Sequence, residues 1–525
     1  MWRITFRAMV IAVLCGWAFL ASTPVLRADV KLPNLLTDGM VLQQGMNVNI
    51  WGTAQPGESV SVSFQGQKVS GVAGAGGEWT VKLEPLHAGG PFTMIVAGKN
   101  TITLHEVLVG EVWVCSGQSN MEMALLAFAP WSKGVTNYED EITHADYPNL
   151  RMFTVERAVA TKPQHDVKGS WAAAAPQTVS SWSAAAFFFG RDLQRTLNVP
   201  IGLISSSWGG TPAESWTSRG TLESDPEFQS ILDSSTKLGA NYPKIFDDFS
   251  QQVVQWRQDS DKAESEGAPT PTPPTSPDDP RRSPWRASGP FNAMIMPLTR
   301  YSIRGVIWYQ GESNSDRPTQ YRKLFPAMIK DWRRAWGEND FPFLFVQLAN
   351  WGIYAPGMNW PELREAQLKT LSLPNTGMAV TIDIGDGSDI HPRDKQDVGY
   401  RLALAAQAIA YGRDVMYSGP IYESMAAEGD QIRLHFKFVY SGLVARTLFT
   451  PGLLGFEIAG DDHKFVPGAA KIDGDTVVVR NDSVPHPVAV RYAWAANPWC
   501  NLFNQAGLPA SPFRTDDWEE TSTSK

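Results

Sequence analysis

The sequence has little cysteine, no surplus of positive charge and few long apolar runs. Three of its 525 residues are cysteine, and Cys15 lies in an apolar segment near the N-terminus. Cys115 and Cys500 remain, which excludes a disulfide framework, although one bond between them is conceivable. The formal net charge is −9, and no Lys/Arg cluster offsets it. This balance argues against nucleic acid as a partner, because phosphates need a basic surface.

Metal-binding spacings are also missing. The chain contains no His-Glu-x-x-His, no paired Cys-x-x-Cys and no calcium-loop pattern. We therefore expect neither a metal nor another cofactor.

The N-terminus has the pattern of a secretory signal. Arg3 and Arg7 precede an apolar run from Met9 to Leu20, and Ala28 ends a plausible cleavage site. The run is short for a membrane span. We expect residues 1–28 to be removed and the protein to be secreted or periplasmic, without a stable membrane partner. An uncleaved anchor is the alternative.

Composition divides the rest of the chain into three parts. Residues 29–108 have short strands and Gly-rich turns typical of a β-sandwich. Residues 109–414 alternate strands with helices, and an insertion at about 220–290 contains a Pro-rich loop at 259–285. Residues 415–525 return to β patterns. The α/β part is large enough for a parallel sheet with a site at its edge.

One stretch predicts a strand, a tight turn and a helix in succession. The β-prone run Val107–Cys115 stops at Ser116-Gly117, and Gln118-Ser119 precedes a helix-prone segment. Such a turn places a hydroxyl at the carboxyl end of a sheet, where open α/β folds bind ligands. We predict Ser119 to be a nucleophile. The alternative is that Ser119 only caps the helix.

Three further predicted strands end in polar, small-residue loops. These loops are 205–211, 310–314 and 385–392. Parallel strands bring their carboxyl ends to one edge, so the four loops should converge there. Convergence favours a functional site more strongly than any one of the loops does.

The converging loops supply the groups that a serine nucleophile needs. His391 is the histidine that follows an α/β strand, and it is the predicted general base. Asp389 is our choice for the acid that orients it, with Asp386 second. The predicted oxyanion donors are the N–H groups of Ser119 and of Gly209 or Gly210, and the side chain of Asn314 or Gln310.

Several blocks of sequence resemble the sialate O-acetylesterase family, which belongs to the SGNH (GDSL-like) serine esterases. They are Gly-Gln-Ser-Asn-Met at 117–121, Trp-Gly-Gly-Thr-Pro at 208–212, Trp-Tyr-Gln-Gly-Glu-Ser-Asn at 308–314 and Asp-Ile-His-Pro at 389–392. Further similar segments at 292–295, 490–494 and 507–516 extend the resemblance over nearly the whole chain after residue 28.

The resemblance implies a three-layer α/β/α hydrolase core with a parallel sheet, flanked by N-terminal and C-terminal β-sandwich-like units. It implies removal of acetyl groups from sugar hydroxyls, with Ser119 as nucleophile and His391 as base. Gly210 and Asn314 or Gln310 match the family's oxyanion blocks. One departure concerns the acid, which such enzymes commonly place three residues before the histidine. That position is Ser388 here.

The motifs identify the acetyl group but not the sugar behind it. An O-acetylated sugar or oligosaccharide is the expected partner, and acetylated xylan or xyloglucan is the alternative to sialate. An arginine clamp would suit the sialate carboxylate, and Arg317 and Arg393 are candidates. Trp208 and Glu312 are further candidates for substrate contact. A non-catalytic sugar-binding protein is the alternative from a different functional class.

Overall fold

The computed structural model describes residues 29–128, 132–337, 340–352, 358–447 and 452–518. The predicted signal segment 1–28 lies outside these ranges. Among the described residues, none of the helices combines the length and apolar character that crossing a membrane requires.

The N-terminal unit consists of short strands that bury alternate side chains. Its strands are β1 Val41–Gln43, β2 Val48–Thr53, β3 Ser59–Phe64, β4 Gln67–Val72, β5 Glu78–Leu83 and β6 Gly89–Ala97. In β3 the serines face outward while Val60, Val62 and Phe64 are buried, as the two-residue period of a strand requires. β3 pairs with β4 and β6, and β2 pairs with β5.

The next strand, β7 (Thr101–Gly117), is 17 residues long and serves two units. Its first half pairs antiparallel with β6, and β1 adds to it at Leu108–Gly110. Its second half, from Glu111 onward, becomes the centre of the catalytic sheet. The strand therefore runs through residue 108, where the sequence suggests a boundary.

The catalytic part has a parallel sheet with helices on both faces. Its further strands are β8 Tyr147–Val155, β9 Gly169–Ala174, β10 Ile201–Ser207, β11 Gly305–Tyr309, β12 Phe343–Val346 and β13 Thr376–Ala379. Their order is β13-β12-β11-β7-β10-β8-β9. All neighbours are parallel except β9, which pairs antiparallel with β8 at the edge.

This part contains eight α-helices among the described residues, and the longest of them buries only Ile231 and Leu232. The helices are α1 Ser119–Glu122, α2 Tyr138–Thr143, α3 Ala184–Leu197, α4 Arg219–Glu223, α5 Gln229–Ser265, α6 Pro318–Trp336, α7 Trp360–Lys369 and α8 Lys395–Ile409. On one face, Phe189 of α3 packs on Trp113, and on the other Trp332 of α6 packs on Trp308. The three-layer α/β/α core predicted from the sequence is confirmed.

The C-terminal unit is built of strands around a smaller core of its own. They are β14 Ile421–Glu428, β15 Gln431–Lys437, β16 Leu443–Ala445, β17 Phe456–Ala459, β18 Val466–Pro467, β19 Ala469–Asp473, β20 Thr476–Arg480, β21 Ala489–Tyr492, β22 Leu502–Asn504 and β23 Phe513–Arg514. The buried Arg364 of α7 ties this unit to the catalytic part, because its guanidinium donates to the carbonyls of Leu348, Ala349, Ala495 and Ala496.

Candidate active site

Ser119 stands at the edge of the sheet because β7 ends in a turn that only glycine can make. Gly117 has φ +143°, and a Cβ there would lie 2.1 Å from the carbonyl oxygen of Tyr309. The helix that follows has Gln118, not Ser119, at its N-cap position, and no side chain caps it. Ser119 is therefore the first helical residue. The alternative interpretation of Ser119 as a helix cap is wrong.

Three of the predicted loops begin side by side, because the strands before them end at paired residues. Gly117 ends β7 and pairs with both Ser207, the last residue of β10, and Tyr309, the last residue of β11. The Gln118 side chain also accepts a hydrogen bond from the N–H of Ser313, at 3.2 Å. The loops after β7, β10 and β11 therefore meet, as the sequence predicts.

His391 lies in the loop after β13 and is held by Asp389. The Asp389 Oδ1 accepts a hydrogen bond from the His391 backbone N–H at 3.0 Å and lies 3.5 Å from His391 Nδ1. Its other oxygen pairs with Lys133 Nζ at 2.9 Å. Burial works against ionisation of Asp389, but the His391 N–H and Lys133 outweigh it and hold its pKa below the ordinary value. Asp389 is thus a carboxylate beside the imidazole.

Asp386 has a different task in the same loop. Its Oδ1 accepts hydrogen bonds from the N–H and the hydroxyl of Ser388, at 2.8 and 2.7 Å. These bonds close a local turn, so Asp386 shapes the loop while Asp389 faces His391.

Asn120 joins the Ser119 turn to the His391 loop. Its Nδ2 donates to the carbonyl of Ile390 at 3.0 Å and to Glu312 Oε1 at 2.5 Å. Its Oδ1 accepts from Lys395 Nζ at 2.8 Å. The residue after Ser119 therefore holds the residue before His391.

Two buried charged groups flank this amide. Glu312 is 6% exposed and Lys395 is fully buried. Burial raises the pKa of Glu312, although Asn120 and Lys395 oppose this. Burial lowers the pKa of Lys395 to about 7, against the attraction of Glu312 and Asp389. Glu312 thus supports the site through its hydrogen bond with Asn120, and we no longer consider it a candidate for substrate contact.

The charged groups around His391 change the pKa of its imidazole. Burial and the Lys395 ammonium lower the pKa of His391, and Asp389 acts in the opposite direction. A neutral imidazole at neutral pH is the form that accepts a proton. The site therefore favours the basic form of His391.

The glycine loop after β10 passes close to Ser119. A Cβ on Gly209 would lie 3.4 Å from the Cβ of Ser119. The Gly209 N–H donates to Glu122 Oε2 at 2.8 Å, so it is already directed at a carboxylate. Gly210 has φ +74°, and its carbonyl accepts from Ser313 Oγ at 2.9 Å. Because the Gly209 N–H is engaged, Gly210 is the one of the two glycines that stays a predicted oxyanion donor.

The side chains of Gln310 and Asn314 are directed into the fold. Gln310 Nε2 donates to Asn314 Oδ1 at 2.7 Å and contacts the Thr211 carbonyl at 3.4 Å. Asn314 Nδ2 donates to Glu214 Oε2 at 2.9 Å. Both residues are buried. In this arrangement the two amides connect the loops after β10 and β11, and we leave them out of the oxyanion hole.

The two predicted clamp arginines are also engaged. Arg317 donates to Glu214 Oε1 at 2.8 Å. Arg393 donates to the carbonyls of Gly134 and Val135, at 3.0 and 3.2 Å. Both arginines therefore brace neighbouring loops, and neither is arranged as a clamp for a carboxylate.

A cleft of about 430 Å³ opens beside the turn that carries Ser119. It is lined by Glu122, Phe128, Ser132, Arg157, Ser181 and Ser207, among others. The Arg157 Nε donates to Glu122 Oε1 at 2.7 Å, and its guanidinium lies 5.7 Å from the centre of the Trp208 ring. Trp208 thus supports this wall. Sequence reasoning missed Glu122 and Arg157; Glu122 lies next to the motif that contains Ser119, but Arg157 has no local signal.

Comparisons with known proteins relate the chain to carbohydrate esterases. Residues 285–409 match a family described as carbohydrate esterase, sialic acid-specific acetylesterase. The chain is 33% identical to the sialate O-acetylesterase of Mus musculus, over 92% of this chain and 94% of the relative. The human sialate O-acetylesterase is 31% identical, with 92% of each chain covered. The chain belongs to the sialate O-acetylesterase family.

A solved structure extends the likeness to three dimensions. A carbohydrate acetylesterase from Xanthomonas citri is 37% identical and has a TM-score of 0.78, covering 93% of this chain and all of its own. The family predicted from the sequence blocks is confirmed, and as a member of the sialate O-acetylesterase family the protein is a carbohydrate esterase. Within the ranges the structure describes, no group of three or more His, Cys, Asp or Glu side chains is placed to hold a metal ion.

Proposed function

We propose that the protein hydrolyses acetyl esters on sugar hydroxyls through a serine acyl-enzyme. The observation that carries this proposal is the link from Ser119 through Asn120 to the His391 loop, with Asp389 beside His391 Nδ1. This is the order of nucleophile, base and orienting acid that acyl transfer requires. The names of the mammalian relatives and of the X. citri structure support the acetyl ester as the substrate.

The reaction follows in two steps. Ser119 Oγ attacks the acetyl carbonyl while His391 Nε2 takes its proton, and Asp389 stabilises the resulting imidazolium. The N–H groups of Ser119 and Gly210 donate to the oxyanion. His391 then gives the proton to the departing sugar oxygen, which leaves an acetyl group on Ser119. Water attacks this ester with His391 again as base, and acetate leaves.

A neutral acetylated hemicellulose oligosaccharide is the second candidate substrate. Sialate carries a carboxylate, yet Arg317 and Arg393 are committed to Glu214 and to backbone carbonyls. Because both arginines already have partners, a sugar without a negative charge is favoured as the substrate. The mammalian relatives are named for sialate, which favours the other candidate.

Acetate release tests both candidates directly. The wild-type protein is incubated with O-acetylated sialic acid and with acetylated xylan and xyloglucan oligosaccharides. We expect Ser119→Ala to lower kcat by a factor on the order of 10³ or more on every substrate that the wild type cleaves. Ser116→Ala is the matched control, because this serine is buried near the end of β7, three residues before Ser119.

Each outcome has a definite meaning. Most activity retained in Ser119→Ala would refute the serine mechanism. No acetate from any substrate with the wild type would favour the non-catalytic sugar-binding alternative.

We also propose that residues 1–28 direct export and are then removed. The positive residues, the short apolar run and Ala28 support this. Mass determination of the protein from the cell envelope and the medium should show a chain that begins at Asp29. An intact N-terminus on membrane-bound protein would indicate the uncleaved anchor instead.

A further inference from the structure

Trp285 presents an open aromatic face beside the glycine loop of the active site. The residue is 59% exposed, although tryptophan has the largest apolar side chain. Its indole N–H donates to the carbonyl of Gly210 at 2.6 Å. A Cβ on Gly210 would lie 3.5 Å from the indole nitrogen. The ring is thus held by its edge while a large part of its surface remains open.

The turn that carries Trp285 is fixed to the floor of the site. The backbone N–H of Trp285 donates to Ser283 Oγ at 3.2 Å, and Ser288 N–H donates to the Glu214 carbonyl at 3.0 Å. Glu214 is itself buried and pairs with Arg317. The orientation of the ring is therefore set before a ligand arrives, which lowers the entropy cost of binding.

A second cleft, of about 390 Å³, lies between this turn and α5. It is lined by Ser230, Ser234, Leu238, Ser283, Trp285 and Arg286, among others. Hydroxyl and guanidinium groups hydrogen-bond sugar hydroxyls, while an indole and a leucine suit the apolar C–H face of a sugar ring. The lining therefore matches a sugar better than it matches a purely apolar ligand.

The position of this second cleft relates it to the reaction. Gly210 contacts Trp285, and the adjacent Gly209 lies against Ser119. A sugar that carries the reacting acetyl group at Ser119 would direct its linked neighbour along the glycine loop. The Trp285 face lies at the next position along that path.

We propose that Trp285 stacks on a second sugar ring of an acetylated oligosaccharide and that the cleft beside α5 binds that ring. This rests on the proposed esterase function and extends it from an acetylated sugar unit to a chain of sugars. Trp285 is the last residue of the Pro-rich loop at 259–285, so this insertion then has a role in presenting the ring.

The test compares a substrate that reaches Trp285 with one that does not. The substrates are an acetylated oligosaccharide of three or more sugars, taken from those the wild type cleaves, and 4-nitrophenyl acetate, which has no sugar. In Trp285→Ala we expect the ratio of kcat/KM on the oligosaccharide to kcat/KM on the small ester to fall about tenfold, mainly through KM. Trp285→Phe keeps an aromatic face and should recover most of the ratio.

The control is Trp499→Ala, which removes an 84% exposed tryptophan from the C-terminal unit and should leave the ratio unchanged. A ratio in Trp285→Ala equal to that of the control would overturn the proposal. An equal loss on both substrates would also overturn it, because it would show that Trp285 only supports Gly210. Failure of the proposed esterase function would give a different result, because the wild type would then cleave neither substrate faster than Ser119→Ala does.

Discussion

The substitution Lys395→Met removes a buried cation whose effect on stability can be worked out from the structure. Lys395 is fully buried and its pKa falls from 10.5 to about 7, chiefly through burial. Between these two pH values the unfolded chain binds the proton and the folded chain does not. The free energy of unfolding therefore decreases as the pH falls through this window, and below about pH 7 the loss is complete.

The magnitude follows from linkage. Each pH unit in the window changes the free energy of unfolding by about 1.4 kcal/mol, and the whole window by about 5 kcal/mol. Methionine does not titrate. Because folded Lys395 is already half protonated at pH 7, the difference in unfolding free energy, wild type minus Lys395→Met, should fall by about 2 kcal/mol between pH 9 and pH 7. The substitution also leaves two acceptors unpaired, Asn120 Oδ1 and the Pro392 carbonyl. Loss of these hydrogen bonds changes the free energy of unfolding by an amount that does not depend on pH.

Urea unfolding at pH 7, 8 and 9, followed by tryptophan fluorescence, measures this difference. Arg401→Met is the matched control, because Arg401 is a buried cation on the same helix that pairs with Asp383 and Asp397. Its pKa is raised, since these carboxylates outweigh the effect of burial. The wild type minus Arg401→Met difference should then be the same at all three pH values. Parallel pH profiles for the wild type and Lys395→Met would refute the reasoning.

The same variant tests the charge around His391. Lys395 helps to lower the pKa of His391, while Asp389 raises it; Lys133 pairs with Asp389, and Glu312 lies across Asn120. Without the Lys395 charge, the acid limb of kcat/KM should move to higher pH. A lower rate with an unmoved limb would mean that Lys395 acts through packing alone.

Three further changes have defined outcomes. Asp389→Asn should lower kcat for acetate release by a factor on the order of 10²–10⁴, whereas Asp386→Asn should lower it far less; equal losses would contradict the assignment of the acid. Gly117→Ala should abolish both activity and the native near-UV circular dichroism, because its Cβ would meet the Tyr309 carbonyl oxygen at 2.1 Å; a folded, active variant would contradict this. Arg364→Met should lower the unfolding free energy by more than about 3 kcal/mol in urea denaturation, since it removes the hydrogen bonds that the buried guanidinium donates to four carbonyls; a change below about 1 kcal/mol would show that these bonds are dispensable.

The position of Ser119 could be predicted because it follows a strand that the sequence marks clearly, whereas the strand before His391 ends earlier than predicted, at Ala379. β7, β10 and β11 are buried throughout their last residues. Small or polar residues mark these ends, although β10 continues to Ser207, through the first three residues of the predicted loop 205–211. The parallel arrangement then brings those ends together. Local pattern and sheet geometry were sufficient for this part.

The directions of the amide side chains were beyond sequence reasoning. Asn314 and Gln310 occupy strand-end loops as predicted, yet their hydrogen bonds run to Glu214 and to each other. The role of Asn120 depends on Lys395, which is 275 positions away. A sequence motif predicts which residue lies in a loop. The hydrogen-bond partners of that residue depend on packing between distant parts of the chain.

Because β7 belongs to both the N-terminal sheet and the catalytic sheet, it limits where the chain can be cut. The same strand of 17 residues pairs with β6 and β1 of the N-terminal unit and forms the centre of the catalytic sheet, and it ends at Gly117, two residues before Ser119. No cut between the two units leaves both sheets intact. The N-terminal unit is therefore not a detachable module, and recombination or truncation that treats it as one would remove the strand that leads to Ser119.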